Sequence, residues 1–196
     1  MVGKIDNVEK AISSEWKNVN DQIWLIGSQK SETTIAASSY LEYFHGEVKG
    51  RPPKIDLFDE RTCQSFLRNA ILNSFVVSAH DISDGGLAIA LAECCISSLK
   101  GASIDLDKVV NRNDNLLFAE GGSRIIFSID KTKEKEWLNY LKTNQINSQS
   151  SVYVKKIGYV SNETLNIKIH EKQICNIGVE ELTKKFNNSI SDYLQI

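Results

Sequence analysis

Ser78-Ala79-His80-Asp81-Ile82-Ser83-Asp84-Gly85-Gly86-Leu87 decides how the chain is read. Before it, Phe75-Val76-Val77-Ser78-Ala79 is a short apolar run that predicts a buried strand. After it, Leu87, Ala90, Leu91, Cys94 and Cys95 recur at helical spacing, with Gly101 as the expected stop. The polar stretch His80 to Gly86 is then a turn from a strand into a helix, a common place for ligands in mixed α/β architectures. Gly85 and Gly86 allow close backbone approach, and the first N–H groups of a helix attract phosphate or carboxylate. Asp81 and Asp84 repel a bare anion, but they can hold Mg²⁺ that bridges to phosphate, or accept from a sugar hydroxyl. The alternative is a capped turn: Asp84 as the helix N-cap, with Asp81 and Ser83 bonding their own backbone.

Working outward, Gln22 to Gly27 reads as a buried strand, and Ser31 is an N-cap candidate for a helix carrying Ile35, Tyr40, Leu41 and Phe44, stopped by Gly46. Gly50-Arg51-Pro52-Pro53 is a loop. Asp56 is placed to cap a helix whose apolar stripe is Cys63, Phe66, Leu67, Ala70 and Ile71. Towards the carboxy terminus, Ser103 to Leu106, Arg124 to Ile129, Val152 to Val160, Leu165 to Ile169 and Ile174 to Ile177 read as strands. Lys131 to Lys142, with Trp137, Leu138 and Leu141 inward, and Val179 to Leu194 read as helices. The late strands look hairpin-linked through Ser161-Asn162-Glu163. This interspersion without strict βαβ alternation predicts an α+β fold, a mixed β-sheet covered by helices on one face. The division is a lead-in over residues 1–19 and an α+β domain over residues 20–196.

A chain of 196 residues with 41% hydrophobic and 24% charged residues is long and apolar enough for its own core. Its net charge of −2 lacks the basic field of a nucleic-acid binder. The longest apolar stretch, Leu87 to Ile96, contains Glu93 and falls short of the ~20 residues a bilayer needs, and the amino terminus lacks a signal-peptide core. Cys63, Cys94, Cys95 and Cys175 show no CxxC or Cys/His ligand spacing, so they read as small core residues and no metal ligands are assigned.

A second segment, Phe118-Ala119-Glu120-Gly121-Gly122-Ser123-Arg124, suits an anion-binding loop, with converging N–H groups, a hydroxyl and an Arg fork. It is not a Walker A loop. The competing reading is a hinge into a strand with Arg124 paired to Glu120.

Taken with Arg51-Pro52-Pro53-Lys54-Ile55-Asp56-Leu57 and Ile157-Gly158-Tyr159-Val160, the order of these motifs resembles the carboxy-terminal part of the phosphoribosylformylglycinamidine synthase family. That family lies within the aminoimidazole ribonucleotide synthetase-like superfamily. The resemblance implies an aminoimidazole ribonucleotide synthetase-like carboxy-terminal domain of a cytoplasmic purine-pathway ligase. In that enzyme ATP, with Mg²⁺, activates formylglycinamide ribonucleotide, and ammonia from a glutaminase subunit or domain completes formylglycinamidine ribonucleotide. Residues 1–19 would be the tail of the preceding ATP-binding domain. The implied partners are the remaining synthetase domains, the glutaminase and a small-molecule nucleotide substrate. No catalytic residue carries over, and no cofactor is assigned to this chain alone, which is expected to be inactive. What carries over is a nucleotide or substrate-phosphate cleft: His80, Asp81, Asp84, Gly85 and Gly86 with Glu120, Gly121, Gly122, Ser123 and Arg124. Two departures stand out: Glu120-Gly121-Gly122-Ser123 where the family usually has Glu-Ser, and Ala36-Ala37 where a glycine pair is expected. They keep open a non-catalytic scaffold or dimerisation domain of the same superfamily.

Overall fold

The structure is a computed structural model and describes residues 4–5, 7–107, 112–144, 146 and 149–194. Of the expected lead-in, residues 1–3 and 6 lie outside the described residues. The strands are β1 (Gln22–Ser28), β2 (Val76–Asp81), β3 (Gly101–Leu106), β4 (Arg124–Ile129), β5 (Val152–Ser161), β6 (Thr164–Ile169) and β7 (Lys172–Gly178). The helices are α1 (Ser39–His45), α2 (Leu57–Leu72), α3 (Gly86–Ser98), α4 (Asn113–Phe118), α5 (Glu134–Thr143) and α6 (Val179–Leu194). The strands form one mixed seven-stranded sheet in the order β2-β4-β1-β5-β3-β6-β7, with β3–β6 its parallel pair. The α+β class holds.

Consecutive apolar residues in β1 and β4 require cover on both faces. Ile23 and Ile126 enter one core with α3, together with Leu117 of α4 and Val179 of α6. Trp24, Ile26, Phe127 and Ile129 enter the other, with Cys63, Phe66, Leu67 and Ala70 of α2 and Trp137 of α5. Helices therefore cover both faces, not one. Farther along the sheet, the apolar Ala102, Ile104, Leu165 and Ile167 face the first core, while Asp105 and Thr164 alternate out to solvent.

Several boundaries differ from the sequence reading. The turn at Ser161–Glu163 does not close a hairpin, because β3 lies between β5 and β6. The late hairpin is β6–β7, whose tip residues His170 and Glu171 take φ of 50° and 62°, as a tight hairpin turn demands. Ser38, not Ser31, caps α1 by accepting from the Leu41 N–H at 3.3 Å; Ser31 is instead buried beside Ser123. β2 runs on to Asp81, so His80 and Asp81 are strand residues rather than turn residues. α3 ends at Ser98 with Leu99 as its C-cap, left-handed at φ 53°, and Gly101 opens β3. Trp137 is buried, but Leu138 is 41% exposed: with Trp137, Tyr140 and Leu141 packed inward, the next position along the helix falls on its flank.

Asp56 caps α2 as expected, its Oδ1 accepting from the Asp59 N–H at 2.9 Å. Before β1, Trp16 is buried against α3, its indole N–H 3.5 Å from Cys95 Sγ, and Ser13 bridges to Ser78 along the free side of β2. All four cysteines are free. Burial pushes the Cys63 thiol up to about 12 and Cys95 up to about 11, which makes them inert packing groups.

Candidate functional site

Asp84 does not cap α3. The N-cap is Gly85, left-handed at φ 77°, with no side-chain cap. Its N–H instead donates to Glu120 Oε1 at 2.8 Å, and the same oxygen accepts the Ser39 N–H at 2.9 Å. Glu120 thus occupies with its own carboxylate part of the helix start that the sequence reading left open for a ligand. Its backbone pairs both ways with Thr34, at 3.0 and 2.9 Å. One residue therefore joins the starts of α1 and α3 to the glycine loop.

Glu120 and Arg124 form no direct ion pair among the described residues. The guanidinium Nη2 of Arg124 donates to the Ala119 carbonyl, and its Nε is buried with no hydrogen-bond partner. Burial lowers the Arg124 pKa from its ordinary value, which neighbouring Tyr153 and Glu120 partly offset. A buried N–H left unpaired costs ~1–3 kcal/mol, so this atom is left to donate to an anion or carbonyl oxygen.

The strand-turn and the glycine loop meet at a cleft of about 550 Å³. Asp81, Asp84 and the run from Glu120 to Arg124 line it. His80 does not: it lies 3.0 Å from Glu93 Oε2 through Nε2 and 3.4 Å from Asp81 Oδ1 through Nδ1, turned towards α3. Gly85 and Gly86 are buried behind the cleft rather than in its lining. The sequence reading missed Glu60 and Gln64 of α2. Glu60 Oε2 accepts from Ser123 Oγ at 2.6 Å, and Ser123 Oγ lies 3.0 Å from Ser31 Oγ. The acidic pair Asp59-Glu60 in the first turn of α2 was the available signal. Four carboxylates (Glu60, Asp81, Asp84, Glu120) against one half-buried Arg124 make a lining suited to hydroxyl groups and to a phosphate that brings its own cation. A second groove, about 400 Å³ between α2 and α5, carries Arg61 as its charged lining residue.

Asp59 braces the far side of α2. Burial favours its neutral form, but hydroxyls of Ser151 (2.5 Å), Ser28 (2.6 Å) and Ser150 (2.9 Å) outweigh this and hold the carboxyl at about 2. A carboxyl depressed on folding stabilises the fold above its unfolded pKa, ordinarily 3.8, and that contribution is lost as pH falls towards 2. Urea melts from pH 5 to 2 should show this loss, and Asp59→Asn should flatten it while lowering stability at pH 7. An unchanged acid profile in Asp59→Asn would contradict the assignment.

This combination, a helix-covered mixed sheet with a cleft where a strand end meets a glycine loop, defines an α+β domain with a candidate ligand cleft. The model described as AIR synthase related protein, C-terminal domain, matches residues 18–168, and the chain belongs to that family. It is 82% identical over 193 residues to the phosphoribosylformylglycinamidine synthase subunit PurL of Prochlorococcus marinus strain MIT 9312, and 60% identical over 192 residues to that of strain MIT 9515. Each alignment covers 98% of this chain and 25% of the relative, so the chain spans a quarter of the length of the relatives it matches. Among solved structures, Thermotoga maritima PurL complexed with FGAR superposes with a TM-score of 0.69 at 17% identity, covering 90% of this chain and 30% of that one. The hydrogenase maturation protein HypE shares the fold at a TM-score of 0.54 and 16% identity, over 85% and 55%. Among the described residues, no helix is long and apolar enough to cross a membrane.

Proposed function

We propose that this chain is the carboxy-terminal domain of a cytoplasmic, ATP-dependent ligase of purine biosynthesis. The complete enzyme would convert formylglycinamide ribonucleotide to formylglycinamidine ribonucleotide with ammonia released from glutamine by a glutaminase partner. Residues 1–19 then belong to the end of the preceding domain and residues 20–196 to this one, and the chain alone is inactive. The curated relatives carry the name of this enzyme, and T. maritima PurL has been solved with ATP and with FGAR.

In that reaction ATP phosphorylates the amide oxygen, and ammonia then displaces phosphate. The step needs phosphate charge neutralised and water kept from the activated amide. The single observation that carries the reading is the unpaired, buried Nε of Arg124 at a cleft that unites Asp81, Asp84 and the Gly121-Gly122 loop. Arg124 would bind phosphate oxygen, Gly121 and Gly122 would let it approach, and Glu60 would accept from a sugar hydroxyl. Among the described residues, no group of three or more His, Cys, Asp or Glu side chains is placed to hold a metal. Mg²⁺ arriving on a nucleotide needs only one or two protein carboxylates, and Asp81 and Asp84 are the residues that would supply them. There it would neutralise phosphate charge.

Calorimetric titration of Mg·ADP and Mg·ATP into the folded chain tests this. Saturable binding is expected, with Arg124→Gln weakening it at least ~10-fold, since a charged hydrogen bond is worth ~1.5–3 kcal/mol. Asp84→Ala should weaken the Mg²⁺-bound form more than free nucleotide. Binding unaffected by Arg124→Gln sinks the proposed role of the cleft, and no binding by the folded chain favours a scaffold domain.

A further inference from the structure

Exposed large apolar residues are ordinary when scattered, but two of them, Tyr43 and Phe44, pack together on α1. Tyr43 is 83% exposed and Phe44 62%, their ring centroids 5.1 Å apart. Phe44 lies 4.8 Å from Tyr40, which stacks on Phe118 at 5.0 Å and an interplanar angle of 20°. Val48, just beyond the helix, is 68% exposed. This short helix hangs on the cleft: the Ser39 N–H at its start and the Gly85 N–H before α3 share one oxygen of Glu120.

Resting on the reading of the chain as one domain of a longer synthetase, we propose that the Tyr40–Phe44 aromatic face is where the rest of the synthetase polypeptide docks. The occupant follows from length: the relatives carry this sequence as 25% of their chain, leaving the greater part of the polypeptide to cover it. The same contact reaches the site. Pressure on α1 bears on Glu120, and through it on the glycine loop and the start of α3, so docking sets the geometry of the cleft. The rival surface is the stripe Phe186, Ile190 and Tyr193 on the last turns of α6, which is as exposed but, among the described residues, shares no hydrogen bond with a cleft residue.

The test places this sequence in the complete 82%-identical P. marinus subunit, replacing its matching quarter, and compares amide hydrogen exchange there with that in the free chain. Residues 39–48 should exchange at least ~10-fold more slowly in the complete protein. Equal exchange in both, or protection confined to residues 186–193, overturns the proposal. A second arm uses Tyr43→Glu with Phe44→Glu. Both side chains are exposed, so the free chain should melt as before, while the complete protein melts at lower temperature; unchanged melting in the complete protein also overturns it. Nucleotide titration of the free double variant, whose cleft residues are untouched, reports separately on the cleft, so either idea can fail alone.

Discussion

Gly86→Ala is expected to cost about 3–4 kcal/mol and to lower the melting temperature by roughly 10 °C. Two penalties coincide at this position. The backbone sits at φ 72°, where an L side chain is strained by ~1–2 kcal/mol. An added Cβ would also fall 2.7 Å from the Phe118 carbonyl carbon and 2.8 Å from the Ala119 oxygen, which are backbone atoms that cannot swing aside. Relief requires α3 to move off the segment that leads into Glu120, and so distorts the cleft. Gly85→Ala is the internal control. It has similar φ, 77°, but its Cβ would meet the Ile89 side chain, 2.5 Å from Cγ1 and 2.9 Å from Cβ, rather than backbone, so a smaller loss than for Gly86→Ala is expected, above the ~1–2 kcal/mol of φ strain alone. Thermal melts of the two variants check the order; equal effects would mean that φ alone sets the penalty.

Trp137→Ala should be as damaging, about 4–5 kcal/mol. Trp137 is fully buried at the centre of the aromatic cluster on the α2–α5 face, stacked on Tyr140 at 5.6 Å and edge-on to Trp24 and Phe127 at 5.7 Å each. Truncation leaves a cavity bounded by the sheet, which cannot collapse to fill it. Trp137→Phe separates shape from polarity. The indole N–H of Trp137 is buried without a partner, and removing it offsets part of the lost packing. About 1–2 kcal/mol is expected, less than an ordinary loss of one ring in a core. A Trp137→Phe variant as unstable as Trp137→Ala would show that the N–H finds a partner.

The sequence was most legible where local pattern alone decides. Arg124–Ile129 and the start of the last helix at Val179 were placed correctly because an apolar run ends at Asp130 and a long amphipathic repeat opens just after Gly178. Sheet order was not legible. Nothing local to Val152–Ser161 or Thr164–Ile169 tells that β3, some fifty residues upstream of β5 in the chain, comes between them. α4 was missed because six residues, NDNLLF, hold too little period to register. Within the site, Asp81, Asp84 and the segment from Glu120 to Arg124 were visible as motifs, and folding brings them to one cleft. His80 was equally visible but is diverted to Glu93, a partner thirteen residues on that only the strand-to-helix geometry supplies. Glu60 was invisible for the converse reason: its position opposite Ser123 depends on how α2 crosses the sheet.

The most direct measurement of the central claim is an amide NMR titration of the ¹⁵N-labelled chain with Mg·ADP. If the cleft is the nucleotide-facing site, the largest shifts fall on residues 81–86 and 120–124, with a weaker effect on Ser39 relayed through Glu120. Shifts confined to the α2–α5 groove around Arg61 and Tyr140, or none at millimolar nucleotide, would contradict it.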